Sequence, residues 1–130
     1  MNQKCTIYQT ANFIGKRWTL LILLELSKRD ADTKLHNTKP FTNTKGFIRL
    51  KKNLPQITPK ILSSRLKELE QEGLITKKIE FNTFPRKSEY SLTASGKEFF
   101  HVIKELKRWS LKWKFQNEAC GQTICQNCRV

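Results

Sequence analysis

The chain has 130 residues, of which 25 are basic and 11 acidic, and its formal net charge is +14. That length predicts one domain with a small hydrophobic core. The longest apolar run, Leu20 to Leu24, is too short to cross a bilayer and no signal pattern is visible, so we expect a cytoplasmic protein with no membrane partner.

The first part of the chain predicts three helices and one long polar segment. Thr6 to Ile14 has the pattern of a short helix, and Lys16 to Leu26, apolar nearly all round, is typical of a buried central helix. Arg29 to Thr44 is rich in Thr, Asn and Lys and predicts a long exposed loop. Gly46 to Asn53 predicts a short helix with three apolar side chains facing inward, Phe47, Ile48 and Leu50.

The stretch from Thr58 to Leu74 predicts a well-delimited helix. Thr58 suits the N-cap, Pro59 the first helical position, and Gly73 the C-terminal stop. One face is an apolar stripe made of Ile61, Leu62, Leu66 and Leu69. The other carries only cations and hydroxyls near the positive end of the helix dipole, namely Lys60, Ser63, Ser64 and Lys67. A recognition helix requires such a face, although an ordinary solvated helix is the alternative.

Positive charge is concentrated around this helix. No acidic residue occurs from Thr33 to Lys67, a segment whose basic residues are Lys34, Lys39, Lys45, Arg49, Lys51, Lys52, Lys60, Arg65 and Lys67. A block of one sign is typical of a surface that binds a polyanion. Nucleic acid is the first candidate. An anionic membrane ranks lower because the apolar residues that it would need are required for the core.

A β-hairpin with a basic tip is predicted next. Leu74 to Phe81 and Ser88 to Thr93 have strand character, and the turn between them contains Arg86 and Lys87. Two helices in close succession followed by such a hairpin are the order of a winged helix-turn-helix domain. In that fold a helix enters the major groove and the wing reaches flanking backbone or the minor groove.

A long helix is predicted from Ala94 to about Asn117. Its large apolar residues recur at alternating steps of three and four, a heptad seam made of Phe99, Val102, Leu106, Trp109 and Trp113. One terminal helix on a small domain cannot bury all of them, so we expect a homodimer interface. Packing on the N-terminal helix of the same chain is the alternative.

Three blocks of the chain match the motifs of one known family in order. Cys5 followed by Ile14–Leu23 is similar to an N-terminal cysteine and a Gly-x-Lys-Trp-x-x-x-Ile-Leu segment. Leu54–Leu69 is similar to Leu-Pro-Gly-Ile-Ser-x-x-x-Leu-x-x-Arg-Leu-x-x-Leu, and Pro85–Gly96 to Pro-x-x-Val-Glu-Tyr-x-Leu-Thr-x-x-Gly. On these blocks the chain resembles the HxlR-type winged-helix transcription regulators, which are relatives of MarR regulators.

The sequence departs from the family pattern at several positions. Arg17, Gln56 and Ser88 stand where the family has Lys, Gly and usually Val. The loop from Asp30 to Lys45 is longer than expected, and the tail after Phe115 is unlike the family.

The resemblance implies a mainly α protein with a small β-hairpin, a winged helix-turn-helix that dimerises through its terminal helices and binds duplex DNA. We expect the winged-helix domain at residues 1–118 and a cysteine-containing tail at 119–130. A sequence-independent architectural DNA-binding protein is the alternative function. Arg65 could instead pair with Glu68. The candidate DNA-binding residues are Arg49, Lys51, Lys52, Thr58, Lys60, Ser63, Ser64, Arg65, Lys67, Arg86 and Lys87.

The four cysteines raise separate questions. Similar regulators sense oxidants or electrophiles through the N-terminal cysteine, which makes Cys5 a candidate redox sensor, with an inert thiol as the alternative. Cys120, Cys125 and Cys128 fall short of a four-ligand zinc site unless Cys5 or His101 joins them; free thiols or disulfides are the alternatives. No catalytic motif is visible, so we expect neither an enzyme nor a cofactor other than that zinc.

Overall fold

The computed structural model describes residues 3–28, 45–82 and 86–128, and this part of the chain contains six α-helices and three strands. The predicted loop over Arg29–Thr44 lies outside the described residues. In chain order the elements are α1 (Thr6–Ile14), α2 (Thr19–Ser27), β1 (Lys45–Gly46), α3 (Phe47–Asn53), α4 (Pro59–Gln71), β2 (Ile75–Glu80), β3 (Lys87–Leu92), α5 (Ala94–Trp113), α6 (Glu118–Gln122) and a 3-10 turn (Cys125–Asn127).

Helix α2 is the centre of the core, as its apolar sequence predicts. Ile22, Leu23 and Leu26 are at most 1% exposed, and the helix packs against α1, α3, α4, α5 and β3. It begins at Thr19, later than the apolar pattern suggests. Trp18, at its N-cap, has a positive φ of 82°, which ends the preceding loop in a left-handed conformation rather than in a helical turn.

Helix α3 buries fewer side chains than expected. Leu50 is fully buried and Phe47 is partly buried against the core, but Ile48 is 85% exposed. The prediction that Ile48 faces inward is therefore wrong. Residues three apart share a face of a helix, as Phe47 and Leu50 do, whereas the residue between them is rotated away from it.

Helix α4 forms as its capping residues predict. The Thr58 hydroxyl accepts a hydrogen bond from the backbone N–H of Ile61 at 3.2 Å, and Pro59 occupies the first turn. Gly73 follows the helix with φ of 83°, a conformation that other residues rarely adopt. The predicted apolar stripe is confirmed, since Ile61 is partly buried and three leucines are fully buried: Leu62, Leu66 and Leu69.

The sheet has three antiparallel strands in the order β1-β3-β2. Strands β2 and β3 form the predicted hairpin, the wing, in which Ile75 lies opposite Leu92 and Glu80 opposite Lys87. The two-residue strand β1 pairs with the other edge of β3, and the hairpin prediction missed it. The tip of the wing, residues 83–85, lies outside the described residues.

The base of the wing fixes the start of α5. The Thr93 hydroxyl accepts from the N–H of Gly96 at 3.2 Å and donates to the carbonyl of Gly73 at 2.6 Å. The first turn of α5 and the backbone just before β2 approach so closely that a Cβ on Gly96 would lie 2.1 Å from the carbonyl oxygen of Leu74. Helix α5 therefore leaves the wing at a position set by backbone contact.

The C-terminal residues fold back on the domain. Helix α5 ends at Trp113, earlier than the predicted end near Asn117, and α6 with the 3-10 turn follows. The Lys107 ammonium of α5 donates to the carbonyl of Thr123 at 2.6 Å, and the 3-10 turn packs against α2. We call residues 118–128 the C-terminal cap.

A buried ionic group ties α2 to β1 and α3. The Lys45 ammonium donates to the backbone carbonyl of Glu25 and lies 3.3 Å from its carboxylate, to which Asn53 also donates at 2.8 Å. Burial by itself would raise the pKa of the Glu25 carboxyl, but the ammonium groups of Lys45 and Lys28 and the Asn53 hydrogen bond outweigh it and hold the pKa below its usual value. Lys45 is only 2% exposed, so its assignment to the basic surface was wrong.

Candidate nucleic-acid interface

The cationic and hydroxyl face of α4 is open to solvent. All four of its residues are exposed: Lys60, Ser63, Ser64 and Lys67. The first turn of α4 contains no acidic residue that would cancel the positive end of the helix dipole. Thr58 is also exposed, but its hydroxyl already accepts the capping hydrogen bond. Its contribution to the interface is first to hold the N-terminal turn of the helix.

An open groove separates α4 from the wing. Ser63 and Lys67 line it on the helix side, together with Glu70 and Gln71, and the opposite wall consists of Lys77, Ile79 and Tyr90. The Lys77 ammonium lies 5.9 Å from the centre of the Tyr90 ring, a cation–π distance. The groove therefore has lysines on both walls.

Lys77 was not among the predicted site residues. Alternation along β2 puts Lys77 on the same side of the strand as Ile75, and Ile75 is buried. A residue on that side of the strand is expected to face the core, but Lys77 lies beyond the edge of the core and lines the groove. No local pattern identifies Lys77 as a groove residue, because its place there depends on how β2 packs beside α4.

Arg65 and Glu68 connect α4 to the loop between α1 and α2. Arg65 is partly buried, and its Nε donates to the backbone carbonyl of Arg17 at 3.2 Å. Glu68 pairs with the Lys16 ammonium, and not with Arg65 as the alternative prediction had it. Since the guanidinium of Arg17 stacks 4.9 Å from the ring centre of Trp18, this loop is held both to α4 and to the N-cap of α2. We call these contacts the loop clamp.

The remaining predicted contacts lie on α3 and on the wing. Lys52 is exposed, while Arg49 is partly buried and Lys51, also partly buried, donates to the carbonyl of Pro55 at 3.1 Å in the connection to α4. On the wing, Lys87 and Arg86 are exposed, and the Arg86 guanidinium lies 5.0 Å from the centre of the Phe81 ring.

The predicted seam of α5 divides into two parts. Phe99 is partly buried and packs on the core of its own chain, alongside buried Ile103. The other four seam residues are exposed by 54%, 45%, 51% and 66%: Val102, Leu106, Trp109 and Trp113. Among the residues that the structure describes, none covers this part of α5, and an exposed apolar face of this kind is typical of an interaction surface.

The four cysteines are free thiols with partly exposed side chains. Cys5 is the N-cap residue of α1, while Cys120, Cys125 and Cys128 belong to the C-terminal cap. Among residues 3–28, 45–82 and 86–128, no three His, Cys, Asp or Glu side chains lie close enough together to hold a metal ion. The arrangement of these four thiols and His101 does not fit the zinc alternative.

Comparison with known proteins identifies the family. The model of the HxlR-like helix-turn-helix family matches residues 13–118. The chain belongs to this family. It is similar to the HTH-type transcriptional regulator YvaP of Bacillus subtilis, at 31% identity over 116 residues that cover 87% of this chain and 94% of YvaP. The family prediction is confirmed, and the matched family is a helix-turn-helix family rather than a family of enzymes.

Solved structures confirm the winged-helix fold. A MarR-family transcriptional regulator from Porphyromonas gingivalis superposes with a TM-score of 0.68 at 26% identity, covering 87% of this chain and 96% of that chain. The reduced form of the transcriptional regulator YodB from B. subtilis gives a TM-score of 0.65 at 27% identity, covering 88% and 99%. None of the helices in the described part of the chain is long and apolar enough to cross a bilayer.

Proposed function

We propose that this protein is a cytoplasmic transcription regulator that binds duplex DNA as a homodimer. The observation that carries the proposal is the exposed face of the first two turns of α4, where residues 60–67 present lysines and serines beside a groove with a further lysine on the wing. In a helix-turn-helix protein the second helix of the motif is the one that enters the major groove. Relatives such as YvaP are transcriptional regulators of this type.

The chemistry of the face suits both parts of DNA recognition. Lys60 and Lys67 lie two turns apart, about 10 Å along the helix, and would neutralise phosphates at the edges of the groove. Ser63 and Ser64 lie between them and can donate to or accept from base edges. Further phosphate contacts would come from exposed or partly exposed cations on α3 and the wing: Arg49, Lys51, Lys52, Arg86 and Lys87. Arg65 would act first through the loop clamp, with its remaining N–H groups available to phosphate.

The homodimer would cover the apolar face of α5. Trp109 and Trp113, with Val102 and Leu106, are the exposed large apolar residues of that helix. A two-fold interface places the same patch of each chain against its partner, so both copies of each of these large side chains become buried in the dimer. The two α4 helices would then read half-sites about 34–36 Å apart, one turn of DNA.

Cys5 would couple this binding to the redox state of the cell. It is the N-cap residue of α1 and partly exposed, and α1 leads into the loop that is clamped to α4 by Lys16 and Arg65. YodB, which is similar to this chain, is described in a reduced form. If Cys5 is the sensor, diamide should lower the DNA affinity of the native chain and leave that of a Cys5→Ser variant unchanged. An equal response of both proteins would assign Cys5 an inert role.

Selection of binding sites from random duplexes, with excess competitor DNA, tests the main proposal. A regulator should enrich a palindrome whose half-sites are centred one helical turn apart, and should retain that site against competitor. An architectural protein should enrich no sequence. Absence of any DNA binding at moderate salt would overturn both functions and leave the winged fold as a protein-interaction module.

A further inference from the structure

Two cysteines of the C-terminal cap share one turn of backbone. The 3-10 turn spans Cys125–Asn127, and the N–H of Cys128 donates to the carbonyl of Cys125 at 3.2 Å. A 3-10 helix has about three residues per turn, so side chains three positions apart lie one above the other. Cys125 is the first residue of the turn and Cys128 directly follows it, so this spacing puts the two cysteines one turn apart on the same side of the backbone.

The separation across such a turn suits a disulfide. The ends of a hydrogen-bonded four-residue turn have Cα atoms less than about 7 Å apart. A disulfide requires a Cα separation of about 4.4–6.8 Å, so closure needs only side-chain rotation and small backbone shifts. Both side chains are partly buried, and neither is in a disulfide.

The turn is also held in place by the rest of the protein. It packs against α2, and the residue two positions before it, Thr123, accepts a hydrogen bond from Lys107 at 2.6 Å. Within the turn, the N–H of Asn127 donates to the carbonyl of Ile124 at 2.9 Å. A turn held by these contacts keeps its two thiols near each other, which raises their effective concentration for one another.

The other two cysteines lie elsewhere. Cys120 is in α6, and Thr123 and Ile124, both with extended backbone, separate that helix from the turn. Cys5 lies at the start of α1, near the other end of the chain. Cys120 therefore lies outside the turn that Cys125 and Cys128 share.

We propose that Cys125 and Cys128 are a redox-active dithiol that closes to an intramolecular disulfide, chemically separate from Cys5 and Cys120. With a small-molecule disulfide such as oxidised glutathione as the oxidant, one thiolate attacks it and releases one glutathione thiolate. The second cysteine thiolate attacks the mixed disulfide and releases the other. Two protein thiols are oxidised, one glutathione disulfide is reduced to two thiols, and the protons lost by the protein are taken up by the released thiolates.

The short loop indicates what this disulfide would do. A cross-link between residues three apart restricts the unfolded chain far less than one that closes a long loop. The pair would therefore add little to stability and would instead set the chemical state of a turn that packs on the central helix. This inference does not depend on DNA binding, and its test uses thiols alone.

Three double variants that each retain two cysteines provide the test. Cys5→Ser with Cys120→Ser keeps the proposed pair, whereas Cys5→Ser with Cys125→Ser and Cys5→Ser with Cys128→Ser keep mismatched pairs. Each full-length protein is equilibrated with mixtures of reduced and oxidised glutathione, and the remaining thiols are counted. The proposed pair should form its disulfide with an equilibrium constant at least tenfold larger than that of either control. This factor corresponds to a reduction potential lower by about 30 mV. The result should not change with protein concentration, and chains should stay uncross-linked on a non-reducing gel.

Equal equilibrium constants in the three variants, or disulfides between chains in the variant that keeps Cys125 and Cys128, would overturn the proposal. A second measurement uses the native chain and so does not depend on how the variants fold. After mild oxidation, free thiols are alkylated, disulfides are reduced and alkylated with a heavier reagent, and the peptides are sequenced by mass spectrometry. The heavier label should be on Cys125 and Cys128 together, and a pattern in which Cys120 pairs with either of them would contradict it.

Discussion

The exposed faces of α4 and α5 are built on the same helical periodicity but differ in composition. The face of α4 has lysines and serines, which water solvates well, whereas the face of α5 exposes two tryptophans, Trp109 and Trp113, by 51% and 66%. A cationic face binds a polyanion with a favourable free energy that becomes smaller as the salt concentration rises. An apolar face is stabilised when any close-fitting surface covers it and removes it from water, and this free energy depends little on salt. One molecule thus exposes one surface that suits a polyanion and another that suits an apolar cover.

The two faces have a fixed geometric relation because shared elements connect them. Helix α2 packs against both α4 and α5, and the base of the wing sets where α5 begins. The loop clamp holds α4 from the other side through Lys16 and Arg65. A dimer formed through α5 would therefore hold two α4 faces at a defined separation.

Removing apolar surface from α5 should have the largest effect. Replacing Leu106 and Trp109 with alanine takes two half-exposed side chains from each protomer, and we expect the dimer to weaken by about 4 kcal/mol, or roughly 1000-fold. Sedimentation at micromolar concentration measures it. Ile48→Ala, at a position of α3 where the side chain is 85% exposed, is the control and should leave the dimer intact. A native chain that sediments as a monomer would contradict the dimer.

The buried ionic group that joins α2 to β1 and α3 should have the next largest effect. Glu25→Gln removes the carboxylate that pairs with buried Lys45, and we expect a loss of about 3 kcal/mol in the free energy of unfolding at pH 7. Because the pKa of Glu25 is lowered in the folded protein, its stabilisation is complete above the usual glutamate pKa of about 4.3 and is lost as the pH falls through the lower value.

The difference in the free energy of unfolding between the native and Glu25→Gln proteins, measured by chemical denaturation, should therefore become smaller as the pH is lowered from 7 to 3. The control is Glu105→Gln, which removes an exposed pair with Arg108 and should change stability by less than about 1 kcal/mol at either pH. If the difference in the free energy of unfolding between native and Glu25→Gln proteins stays constant over this range, the Glu25 carboxyl does not stabilise the fold through its charge.

The junction between the wing and α5 should be sensitive to a single methyl group. Gly96→Ala forces a Cβ to within 2.1 Å of the Leu74 carbonyl oxygen, and we expect it to destabilise the fold by about 2 kcal/mol. At an exposed helical site the same change would stabilise by about 1 kcal/mol. Gly121→Ala is the matched control, since a methyl group at that position would meet no atom within 4 Å. Equal melting temperatures for the two variants would show that α5 can shift away from the wing.

The features that the sequence could predict are those with local causes. The limits of α4 follow from Thr58, Pro59 and Gly73, which act on their own backbone, and its buried stripe follows from helical spacing. Strand β1 has no such signal, because two residues show no alternation and its partner strand β3 is distant in sequence. Lys45 resembles any surface lysine until its pairing with Glu25 is known.

The heptad seam shows a second limit. Spacing identified Phe99 and Trp109 as members of one stripe, but periodicity does not distinguish a partner within the chain from one outside it. The structure separates them, since Phe99 packs on its own core and Trp109 remains half-exposed. Lys77 was not among the predicted site residues, and its place in the groove follows from the packing of β2 beside α4, which local sequence does not specify.

The salt dependence of DNA binding tests the central claim most directly. Affinity for the selected duplex is measured over a range of salt for the native chain, for Lys60→Ala with Lys67→Ala, and for Lys104→Ala with Lys114→Ala, which removes the same charge from α5 and its C-cap. Each neutralised phosphate contributes about 0.9 to the slope of log affinity against log salt. The α4 variant should bind more weakly with a slope smaller by about 3 to 4 per dimer, and the α5 variant should keep the native slope. Identical slopes for the native chain and the α4 variant, or a flat response, would contradict the account.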